Sequence, residues 1–175
     1  MKSLNYPVKD FNVTSPFGPR LHPILNVVMD HSGVDIGIPV NSEIRAQADG
    51  EVLKTWIAPA GGLQMKVLYK NGLTGGYAHL NQILVSPGQK VVRGELIALS
   101  GGAPGSPGAG LSTGPHLHYT IRDKNNNLID PLSIKYKPYR GTRALAGMPF
   151  FPFQNPKLVL AITFGSIILT RLLKK

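Results

Sequence analysis

From its first residues to about position 135, the chain never sustains a helical period. Short β-like runs follow one another, each closed by a turn signal. "EIRAQADGEVLKTWI" reads as strand, Asp-Gly turn, strand. "LQMKVLYKNGLTGGYAHL" reads as strand, Asn-Gly turn, strand. "SPGQKVVRGELIALSG" gives turn, short strand, turn, strand, and "HLHYTIRDKNNNLIDPL" gives strand, Asn-rich turn, short strand. The 20 Gly and 15 Pro among 175 residues are enough to punctuate such a pattern. Residues 1–135 are therefore expected to fold as an all-β, compact, mostly antiparallel domain.

Within it, "TGPHLHY" places His116 and His118 two apart. Side chains alternate faces along a strand, so both imidazoles are expected on one face. Such a pair reads as a metal site, a proton-transfer pair or a coincidence of a strand surface. It is preceded by "GGAPGSPGAGLSTGP", too long for a tight turn and expected to line a groove.

With no cysteine in the chain, disulfides, thiolate metal ligands and thiol nucleophiles are excluded. The remaining ligand types are His and carboxylate. "DHSGVDIG" sets His31 and Asp35 four apart around Gly33, "GYAHLN" offers His79, and "GPRLHPI" offers His22. Each alone is weak. Together they match what catalytic zinc takes when thiolates are absent: three N/O ligands and one position left open. Leftover histidines then serve proton transfer and transition-state charge. The His-x-His of cupins is set aside, because no Glu follows in "YTIRDKNNN".

"SPFGPRLHPI", "HSGVDIGIPVNSEIRAQADGEV", "GYAHLNQILVSPGQKVVRGELIALSG" and "STGPHLHYTIR", in this order, resemble the lysostaphin-type (LytM-like) zinc endopeptidases of bacterial cell walls. The resemblance runs from about Thr14 to Leu132. It implies a compact β-domain with a groove, of the duplicated hybrid motif type, and hydrolysis of peptide bonds in peptidoglycan stems or cross-links. It implies one Zn2+ per chain on His31, Asp35 and His118. His116 would be general base or transition-state stabiliser. His79 would polarise water or hold the oxyanion. Arg20 and His22 match the start of the family pattern and would shape the substrate groove, with Tyr119 as a further candidate for it. Pro23 to Asp30 departs from the pattern in detail, and Asp30 there would contact His31 from behind. A non-catalytic, metallopeptidase-like scaffold is the alternative.

The rest of the chain differs in character. Residues 136–175 carry seven Lys/Arg and no acid, whereas residues 1–135 hold twelve Lys/Arg against nine acids. Residues 136–156 read as a Pro-containing basic linker. Residues 157–175 read as a C-terminal hydrophobic and basic helix, with an uncharged run of 12 from Leu158 to Leu169. That is short of the roughly 20 residues of a spanning helix. The segment is a candidate membrane anchor, an interfacial helix or a helix packed on a hydrophobic partner; folding onto the domain's own core is the remaining alternative. No specific nucleic acid partner is expected. "MKSLNYPVKDF" holds no apolar core of signal-peptide length, so no cleavable signal is read there. The expected location is at a membrane facing the cell wall, with a structural role in a bacteriophage particle as one setting.

Overall fold

The computed structural model describes residues 3–21 and 26–139. All of them belong to one compact unit spanning residues 1–143. The expected helix over 157–175, most of the linker and His22 lie outside the described residues.

Among the described residues, fourteen strands follow in chain order: β1 (Leu4–Asn5), β2 (Val13–Ser15), β3 (Gly18–Leu21), β4 (Val28–His31), β5 (Val34–Ile36), β6 (Glu43–Arg45) and β7 (Gly50–Ala58), then β8 (Gly62–Tyr69), β9 (Thr74–Ile83), β10 (Lys90–Val91), β11 (Leu96–Ser100), β12 (Leu117–Arg122), β13 (Leu128–Ile129) and β14 (Tyr136–Lys137). The main sheet runs β10-β7-β8-β9-β12-β5-β2, with β11 bridging β9 and β6 and β13 flanking β12. Its pairings are antiparallel, and β3 with β4 forms a separate antiparallel hairpin. β1 pairs β14 in parallel. The all-β, mostly antiparallel expectation holds.

The turn chemistry explains part of the order. At "YKNGL" the Gly72 N–H donates to the Tyr69 carbonyl at 2.8 Å, and Gly72 has φ of 80°, which favours glycine. This turn closes the β8–β9 hairpin. The Asp-Gly at 49–50 does something else. The strands on either side of it do not pair: β6 pairs β11, whereas β7 pairs β8 and β10. Asp49 Oδ1 accepts the Arg93 backbone N–H at 3.0 Å, a contact 44 residues away that no local signal announces.

Period-2 alternation sets the core. On β12, Leu117, Tyr119 and Ile121 are fully buried, while His118, Thr120 and Arg122 occupy the other, partly exposed face. Contrary to expectation, Tyr119 therefore does not shape a substrate groove. Its hydroxyl donates to Gln47 Oε1 at 2.6 Å, in a buried cluster with Tyr77 and Tyr69. Tyr119→Phe should cost about 1 kcal/mol of stability, the net worth of one such bond. Thermal melting should register that loss. An unchanged Tm in Tyr119→Phe would show that the hydroxyl contributes nothing to the core.

Candidate metal centre and groove

The loop "HSGVD" builds one side of the site. Gly33 packs against β12 so closely that a Cβ there would lie 2.2 Å from the Tyr119 carbonyl oxygen. Only glycine permits this approach. It brings His31, at the end of β4, beside Asp35 on β5. Asp35 is in turn the cross-strand partner of His118 on β12, so the two side chains share a face.

Three Lewis-base atoms converge as a result. His31 Nε2 lies 3.1 Å from Asp35 Oδ1 and 2.9 Å from His118 Nδ1, and His118 Nδ1 lies 2.9 Å from Asp35 Oδ1. Ligands at about 2.0–2.1 Å around a tetrahedral zinc sit roughly 3.3 Å apart, close to these separations. The donor set, two imidazoles and one carboxylate, also fits. Each ligand is oriented by a neighbour. His31 Nδ1–H donates to the Pro16 carbonyl at 2.7 Å, leaving Nε2 with a free lone pair. Arg20 donates to Asp35 Oδ2 at 3.3 Å. The partner behind His31 is thus Pro16, not Asp30, which is exposed at the groove. Burial raises the Asp35 carboxyl, but hydrogen bonds and charge from His118 and His31 outweigh it and hold the group well below the usual carboxylate range.

Two more imidazoles stand beside this cluster. His116 follows the long Gly/Pro loop and bridges Gly101 at the end of β11. Its Nδ1–H donates to the Gly114 carbonyl at 2.8 Å, with Ser112 Oγ 3.1 Å away. That tautomer leaves Nε2 unprotonated, 3.7 Å from Asp35 Oδ1. His79 sits where β9 changes register, with φ of 57°. The left-handed residue turns its ring out of the strand's alternation and into the groove. Its Nδ1–H donates to the Ala109 carbonyl at 2.7 Å, and its ring centroid lies 4.6 Å from that of His116.

Burial lowers the His79 imidazole to about 4; the Ala109 bond opposes this, and charge on His116 and His118 reinforces it. A folded-state value below the ordinary 6.5 has a definite sign. Stability from neutral His79 is complete above about pH 6.5 and is lost as pH falls towards about 4. Thermal melts of metal-free chain across that window should show a falling Tm. His79→Asn, which tolerates positive φ, should flatten the slope relative to wild type. Equal slopes would contradict the assignment.

All five side chains line one open groove of about 620 Å³. Arg20, Thr14 and Gln64 line it too, and Ser112 to Pro115 of the long loop form part of its wall, as expected. The arrangement offers a metal position, two imidazoles with outward lone pairs, and room for an extended peptide. Sequence reasoning missed the positioning groups Pro16, Ala109, Ser112 and Gly114. Three of these act through backbone carbonyls, which leave no residue-type signal.

Residues 29–131 match Peptidase family M23. The chain belongs to this family. It is 39% identical over 118 residues to the peptidoglycan DD-endopeptidase ShyA of Vibrio cholerae, covering 66% of this chain and 26% of that protein. A zinc-containing peptidase of Vibrio cholerae superposes with a TM-score of 0.67 at 32% identity, over 78% of this chain and 41% of the other. The catalytic domain of lysostaphin from Staphylococcus simulans superposes with a TM-score of 0.59 at 27% identity, over 70% and 90%. The lysostaphin-type resemblance is thereby established as family membership, and membership supports a metallopeptidase. The chain spans about a quarter of the length of the curated relatives it matches.

Proposed function

We propose that this chain is a zinc-dependent endopeptidase that hydrolyses peptide bonds in peptidoglycan stems or cross-links. The observation that carries this reading is the convergence of His31, Asp35 and His118 beside two outward-facing imidazoles in one groove. His31 Nε2, Asp35 Oδ1 and His118 Nδ1 would hold one zinc. When bound, the ion supplies Lewis-acid chemistry, acidifying water and polarising a carbonyl. His116, with Nδ1–H fixed on Gly114, presents Nε2 as the base that takes a proton in the groove and returns it to the leaving amine. His79, held neutral by burial and with its Nδ1–H fixed on Ala109, presents an Nε2 lone pair that accepts a hydrogen bond from the attacking water; this tautomer serves to orient water and not to hold an oxyanion. Arg20 holds Asp35 in place. Mass spectrometry of muropeptides digested by the zinc-loaded chain tests the substrate class and identifies the bond. Products cut in the glycan alone would overturn the reading.

Three relatives are named as peptidoglycan DD-endopeptidases, which favours catalysis over a scaffold. Elemental analysis separates the two. A full equivalent of zinc supports the enzyme; a well-folded chain that never takes up zinc supports the scaffold.

Residues 136–156 and 157–175 are read as linker and membrane-directed segment on their sequence alone. Among the described residues no helix is long and apolar enough to cross a membrane. Truncation after Pro156 should release the chain from membranes; retention would remove the anchor role. The bacteriophage setting gains nothing from the relatives named, which are bacterial.

A further inference from the structure

The groove continues beyond the metal cluster. A second, smaller cavity of about 190 Å³ shares Ser32, Gln64, Ala78 and His118 with the first, then extends to Trp56, Lys66 and Arg122. Sheet register explains this shape. Lys66 pairs Gly76, and Gly76 pairs Thr120; Trp56 pairs Gln64, Lys54 pairs Lys66, and His118 pairs Ala78. The middle strand β9 thus carries only Gly76 and Ala78 at these positions, which leaves a trough between β8 and β12. Its walls end in cations.

Those cations gather without an acid. Lys54 Nζ lies 4.4 Å and Lys66 Nζ 5.9 Å from the centre of the Trp56 ring. Two ammonium groups held on one indole are kept close to each other. Arg122 stands at the same cavity. Among the described residues no carboxylate forms an ion pair with Lys54, Lys66 or Arg122. Lys66 is half-buried, and burial together with the charges of Arg122 and Lys54 lowers its ammonium pKa. A like-charged, partly desolvated cluster of this kind is relieved by an anion.

We propose that Lys54, Trp56, Lys66 and Arg122 form a subsite for a free carboxylate on the peptide substrate, at the β12 end of the groove. This rests on the peptidase reading for the identity of the peptide. At the rise of a strand, Lys66 lies roughly 7 Å and Arg122 roughly 13 Å along β12 from His118. The carboxylate therefore sits about two to four residues from the bond that is cut. Guanidinium and ammonium donors give charge-assisted hydrogen bonds, and the indole supplies an apolar floor for the carbon chain that bears the anion. The groove is thereby polarised: the metal cluster reads the bond, the cationic end reads the charge.

Trp56 is the one tryptophan of the chain, so its fluorescence reports on this subsite alone. The zinc-loaded full chain is mixed by stopped flow with a cross-linked muropeptide bearing free carboxyl groups, or with the same muropeptide converted to primary amides. Indole fluorescence gives binding, and chromatography of the same samples gives cleavage. Wild type is expected to bind and cleave the acid about tenfold better than the amide, a preference that shrinks as salt rises. K66Q/R122Q should bring the two forms to within about twofold, with zinc content unchanged, and K66R should keep the preference. Equal handling of acid and amide by wild type overturns the subsite without any variant being needed. A preference that survives in K66Q/R122Q overturns it too. Acid-selective quenching of Trp56 without cleavage of either form would instead overturn the peptidase reading and leave the anion subsite standing.

Discussion

His116→Ala is expected to lower kcat by about 10²–10⁴ while the chain keeps its full zinc equivalent, because a positioned general base contributes that much. The division follows from the geometry of the site. His116 Nε2 lies 3.7 Å from Asp35 Oδ1, farther than either imidazole of the ligand cluster, and its Nδ1 is committed to Gly114. The ring therefore stands beside the cluster rather than in it. On the proposed assignment, removing it takes away the proton acceptor and leaves the three proposed ligands in place. KM should change far less than kcat, since the base acts mainly in the transition state. Steady-state kinetics with elemental analysis on one preparation checks both halves. Zinc lost together with activity would make His116 a ligand; wild-type kcat would remove it from the reaction.

Asp35→Asn should have the other large effect, through the metal. Asp35 Oδ1 accepts from, or shares a cation with, both His31 and His118, and Oδ2 accepts from Arg20. The amide keeps the shape and loses the charge. Zinc affinity should fall more than the roughly 10–100-fold typical of losing an outer partner. Arg20 is then left at the site without its carboxylate, so the metal-free variant should also melt below metal-free wild type. Competition with a chelating dye measures the first effect and calorimetry the second. A variant that binds zinc as wild type does would show that Asp35 is not a ligand.

Particular residues show how far the chain could be read before its structure. His31, Asp35 and His118 were weak signals singly and became specific only through their co-occurrence in the four motif stretches; the fold brings their ligand atoms together. The same strand alternation that paired His116 with His118 also places Tyr119 on the opposite face. Its burial was legible from that rule, and the groove expectation for Tyr119 overlooked it. His79 was visible as a residue, but its route into the groove depends on a register change and a positive φ that no spacing reveals. The Asp-Gly at 49–50 is a true turn signal whose flanking strands find distant partners, because pairing is decided by the whole sheet. Trp56 and Lys66 lie on the consecutive strands β7 and β8, but Arg122 follows on β12 much later in the chain, and only the register across β8, β9 and β12 brings it to them.

Purified bacterial cell walls, incubated with zinc-loaded chain, should release new amino groups and no new reducing sugars. Chelation should stop the release, and added zinc should restore it. That is the outcome for a zinc peptidase working through His31, Asp35 and His118. Amine release that persists in His118→Ala after chelation, or reducing sugars without new amines, would contradict the account.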